Sequence, residues 1–194
     1  MRRFGGSAAN EQLTAIIAAV LLPLLVAEGA TLLNIRALLT VHAFIGMLLV
    51  PVVALKLASA GWRMVRYYTG SEEYVLRGPP HLAIRLVVAP VLVASTVLLF
   101  ATGVALLAVD ETEGLLVGLH KASFVVWSGA VGVHFLTRIG LVWHALTRRV
   151  PALTFRMAAA TLSVVAGVAV ATATLPAMDR LQDDVSGHVG FDSE

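Results

Sequence analysis

Five stretches of this chain, 13–33, 37–60, 83–109, 115–143 and 152–175, are apolar over the length an α-helix needs to cross a bilayer core, about 20 residues. No other feature restricts the fold as tightly. In hydrocarbon the backbone must satisfy its own hydrogen bonds, and unbroken apolar runs do so as helices. Composition agrees: 58% of the 194 residues are hydrophobic and 13% are charged. Mean hydropathy is +0.87. A soluble domain carries about twice that charge fraction. The expected fold is all-α, a polytopic membrane protein built as a five-transmembrane-helix bundle. A polar segment, 1–12, precedes the membrane domain, 13–175. An acidic tail, 176–194, follows it and is expected to be mobile.

The first run follows Arg2 and Arg3 and ends near the small residues Ala27 to Ala30, a pattern shared with signal peptides. Its full spanning length favours an uncleaved anchor. The link between the first two runs is tight, so those spans should be antiparallel neighbours. The loop from Gly61 to His81 holds Trp62, Tyr67, Tyr68 and Tyr74, which read as an interfacial aromatic belt, and Pro79-Pro80 ends it.

Lys and Arg placement sets an orientation. One set of connections holds Arg2, Arg3, Arg63, Arg66, Arg77, Arg85, Arg138, Arg148, Arg149 and Arg156; the opposite set holds Arg36, Lys121 and Arg180. The N-terminus is therefore expected in the cytoplasm and the C-terminus outside, in a bacterial inner (plasma) membrane. The same asymmetry explains a basic chain without nucleic acid as a partner; lipid is the expected surroundings. Cys is absent, which excludes disulfides, cysteine-ligated iron–sulfur clusters and covalent c-type haem.

The histidines carry the functional signal. His120 and His134 are fourteen positions apart on one run, so on a helix they are separated by roughly 21 Å and leave by faces about 40° apart. Imidazoles at two depths of one membrane face call for a use. His42 lies about as far into the second run as His120 lies into the fourth, and the two runs point the same way. The pair is thus expected at one level, near the outer face. A bis-imidazole haem site requires one neutral nitrogen from each of two facing helices at one depth. Fourteen residues beyond His42 stands Lys56, at the level of His134.

The His-x13-His spacing, with a parallel span carrying a matching histidine, resembles the transmembrane diheme cytochrome b pattern of respiratory complexes and related quinone-linked b-type cytochromes. The resemblance covers roughly 37–143. It implies that His42 and His120 ligate an outer haem b. It also implies an inner haem at His134, with Lys56 in place of the fourth histidine, so that the chain holds one haem or two. Gly46, Gly118, Ser128, Gly129 and Gly132 would let a flat macrocycle approach the backbone. Lys121 and Arg36 stand where outer propionates would point.

The residues also admit plainer roles. His42 and His120 fit wetted, hydrogen-bonded groups, and His134 fits a bond to a neighbouring helix. Lys56 fits an ammonium snorkelling towards the headgroups or meeting a haem propionate. The function expected from the resemblance is membrane electron transfer between the quinone pool and a redox protein at the outer face, as a subunit of an oxidoreductase. The alternative is a haem-free scaffold, assembly factor or small transporter subunit. No nucleotide-binding glycine motif, HExxH or hydrolase triad is present.

Overall fold

The computed structural model describes residues 7–76, 84–147 and 153–191. Every element among them is helical. The elements are α1 (Ser7–Thr31), α2 (Leu39–Tyr68), the single turn α3 (Glu72–Val75), α4 (Ala89–Val109), α5 (Leu115–Thr147), α6 (Leu153–Ala173) and α7 (Leu175–Phe191). A 3-10 turn over Leu32–Asn34 joins α1 to α2, and a π-helical turn over Ile84–Val88 leads into α4. Five helices are long and apolar enough to cross a membrane, over Asn10–Asn34, Leu39–Tyr68, Leu86–Val109, Leu115–Thr137 and Arg156–Ala173. The chain is an all-α, membrane-spanning bundle. Pro79-Pro80, His81 and the Arg148-Arg149 turn lie outside the described residues, as do the side chains of Trp143, His144 and His188.

The helices are held by apolar contact and by close backbone approach. Ile17 and Leu21 of α1 pack on Leu49 and Val52 of α2, all buried. On α6, Ala160, Ser163, Gly167 and Ala171 form a buried stripe against α2. A Cβ at Gly167 would strike the carbonyl of Leu48, so these two backbones touch. Small residues at such spacing permit this approach, which replaces a hydrophobic drive that lipid does not supply. α4 packs along α5, and Trp127 Nε1 of α5 donates to Thr96 Oγ1 of α4 at 3.1 Å.

Two elements differ from the sequence expectation. α2 continues through Gly61 to Tyr68, so Trp62 and Tyr67 of the aromatic belt belong to a helix. One helical glycine costs only about 1 kcal/mol, and the Arg66 guanidinium lies 5.9 Å from the Trp62 ring one turn back. The tail is the larger correction. Expected to be mobile, it forms α7 and docks on the bundle. Met178 and Leu181 are buried against Leu107, Leu39, Ala43, Phe44 and Met47. Gln182 accepts from Thr40 N–H at 3.3 Å and donates to the Arg36 carbonyl at 2.7 Å. It thereby serves the start of α2, where Leu38 offers no side-chain cap. Arg180 pairs with Asp110 at 3.2 Å. Asp110 ends α4 at φ 52°, in the left-handed region that Asp tolerates better than most residues.

Candidate functional site

Two polar clusters interrupt the apolar interior, one towards each end of the bundle. At the end where α1 stops and α2 begins, His42 Nδ1 lies 2.8 Å from Thr31 Oγ1 and 3.2 Å from Glu28 Oε1. The short α1–α2 link makes this contact, folding the last turn of α1 beside the first turn of α2. Thr31 Oγ1 donates its one hydrogen to the Glu28 carbonyl at 2.5 Å. Towards His42 it can therefore only accept, so Nδ1 carries the proton. The other nitrogen, Nε2, is left with its lone pair.

His120 on α5 is held by α4 in the same manner. Its Nδ1 lies 3.2 Å from the Leu99 carbonyl and 3.1 Å from Thr102 Oγ1. A carbonyl only accepts, and the Thr102 hydroxyl donates to the Leu98 and Leu99 carbonyls. Nδ1 is again the protonated nitrogen and Nε2 the basic one. Gly103 gives the ring its room: a Cβ there would come within 3.1 Å of His120 Cε1.

The two rings lie close, edge-on, with centroids 6.5 Å apart and planes at 87°. They are the pair that matched depth predicted. α2 and α5 do not pack along one another among the described residues; α1 and α4 flank both. A metal bound by both Nε2 atoms in line, with bonds of about 2 Å and half a ring on each side, would hold the centroids roughly 6 Å apart. The spacing and tautomers therefore fit a bis-imidazole centre. Among the described residues no group of three or more His, Asp or Glu is placed to hold a metal ion, and a two-histidine centre needs none.

The remaining expected site residues are placed as follows. The side chain of Arg36 and that of Lys121 are exposed at the His42–His120 end. A Cβ at Gly46 would lie 3.5 Å from Glu28 Oε1, so this glycine faces the carboxylate; one at Gly132 would meet open space. Lys56 is turned onto α1, where its ammonium donates to the Thr14 carbonyl at 2.7 Å. Beside it, Asn10, Thr14 and Ser59 form a further set of α1–α2 hydrogen bonds. His134 is half-buried on α5. The structure thus brings His42 and His120 together and gives Lys56 a bond between helices.

Sequence reasoning missed Thr31, Thr102, Gly103 and the Leu99 carbonyl, and read Glu28 as a carboxylate near the headgroups. Each acts on a histidine of another helix, a relation without a sequence spacing. The one available signal was an acidic residue inside an apolar run. No protein family, curated protein or solved structure matches the chain.

Proposed function

We propose that this protein is a b-type cytochrome-like membrane electron-transfer subunit, passing electrons between the quinone pool and a redox protein at the outer face. One observation carries the reading. Two histidines on separate helices, each fixed as the Nδ1–H tautomer, stand 6.5 Å apart between ring centroids within the membrane domain. Polar packing alone does not call for two basic nitrogens left over at one level.

His42 and His120 would hold a haem b through Nε2. A haem bound there supplies one-electron exchange. Thr31 and Glu28 hold His42 at Nδ1, and Leu99 and Thr102 hold His120 at Nδ1, which leaves each Nε2 to ligate. The apolar helices around them exclude water and favour a small net change of charge. Arg36 and Lys121, at the same end, offer cations to anionic substituents. His134 and Lys56 would define a second, inner level, at which the Lys56–Thr14 bond would have to open for the amine to ligate.

The test is a reduced-minus-oxidised spectrum of the purified protein, with haem counted per chain after extraction. Low-spin b-type bands are expected, at one haem per chain or two. His42→Ala and His120→Ala should each remove the same haem. A folded protein that takes up no haem when haem is plentiful would overturn the reading.

A further inference from the structure

Two cations stand inside the bundle at the end opposite the histidine pair. Arg156 is buried and begins the α6 stripe that continues through Ala160, Ser163 and Gly167 against α2. Lys56 of α2 is half-buried and turned onto α1. α1, α2 and α6 pack on one another, so both cations belong to one three-helix contact. Their levels follow from Gly167, whose Cβ would meet the Leu48 carbonyl. Arg156 is eleven residues from Gly167, and Ser59 is eleven from Leu48, on helices that run antiparallel. Arg156 therefore stands at the level of Ser59, about one turn beyond Lys56.

Among the described residues neither cation forms an ion pair with a carboxylate; their partners are neutral. The Lys56 ammonium donates to the Thr14 carbonyl, and Arg156 Nη1 donates to Gln12 Oε1. An ammonium carries three donors and a guanidinium five, so most of their capacity is left over among the described residues. Two like charges enclosed by helices without a counter-charge are costly. An anion with several acceptor oxygens would offset that cost and take up those donors. Depth and surroundings narrow the anion. Arg156 opens one spanning stretch, and Asn10, bonded to Ser59, opens another, so both stand where headgroups lie. Met157, next to Arg156, and Leu162 are exposed on α6 and offer a surface to acyl chains.

We propose that Lys56 and Arg156 form a site, between α1, α2 and α6, for the phosphate of an anionic phospholipid. Basic pockets between membrane helices bind such headgroups. Lys56 supplies a compact charge, and Arg156 a planar fork that matches two phosphate oxygens. The site differs from exposed arginines at the same end, such as Arg63, because its charges face a contact between helices. It is independent of the haem reading, and it assigns Lys56 to a lipid rather than to iron.

The full-length protein, stripped of lipid in a neutral detergent, is titrated in a calorimeter. The probes are a short-chain phosphatidylglycerol, the matching phosphatidylcholine and inorganic phosphate. One phosphatidylglycerol per chain is expected, with the other two bound at least about tenfold more weakly. Lys56→Gln and Arg156→Gln should each lower its affinity about tenfold, and Arg63→Gln by less than about twofold. Equal binding of phosphatidylcholine overturns the site, as does an equal loss in Arg63→Gln, which marks general surface attraction. Inorganic phosphate bound as tightly as phosphatidylglycerol overturns the lipid assignment. Should the glutamine variants not fold, Arg156→Lys decides, since it keeps the charge but not the fork. A lowered phosphatidylglycerol affinity then upholds the site, and an unchanged one overturns it.

Discussion

His42 and His120 illustrate how a spacing becomes a site. His42 lies about as far into the second apolar run as His120 lies into the fourth, and the two runs point the same way, which was enough to expect both rings at one level. It was not enough to predict what holds each ring. Thr31 lies eleven residues from His42, and Thr102 eighteen from His120, on other helices. Those contacts depend on how each helix is rotated about its axis, which apolar runs barely specify. Gly103 is the sharpest case, since nothing in its sequence context marks it. Gly103→Ala should press on His120 Cε1, where a Cβ would sit 3.1 Å away. The expected outcome is an affinity of the proposed haem site lowered about tenfold, equivalent to about 1.4 kcal/mol, with helical content by circular dichroism unchanged.

Helices were the most legible part of the chain, and their ends the least. The five spans fall where spanning length and apolarity placed them. α2 overran its expected end because Gly61 is a weak stop, and the residues after it form a helix well enough. α7 was misread because its polar residues dominate its composition. Its apolar Met178 and Leu181 lie three apart and reach one face, where the bundle buries them. Gly167 on α6 offers a direct check of helix packing. Gly167→Ala must separate α6 from the Leu48 carbonyl of α2, and should destabilise the protein by about 1–3 kcal/mol. Gly61→Ala, on an exposed surface with open space at its Cβ, should cause no loss and a gain of about 0.5–1 kcal/mol. Unfolding in mild detergent, followed by circular dichroism, measures both.

The bundle has two chemically distinct ends. One holds the His42–His120 pair and the docked α7; the other holds Lys56, Ser59, Asn10 and Thr14, with buried Arg156 bonded to Gln12. The proposed orientation puts the histidine end outside. Because the native chain has no Cys, single cysteines report on it cleanly. A cysteine at Ser71, beyond α2, should react with an impermeant thiol reagent only in inverted membranes. One at Thr112, between α4 and α5, should react only from the outside. The reverse pattern would invert the topology and move the proposed haem site to the cytoplasmic side. The helical fold, the number of spanning-length helices and the shared level of His42 and His120 followed from residue order, because a bilayer imposes one length scale on every helix. The pairing of His42 with His120, their tautomers, the carboxylate at Glu28 and the docking of α7 followed only from tertiary packing. These depend on helix rotation and neighbour choice, and a uniformly apolar solvent leaves both to contacts between particular side chains.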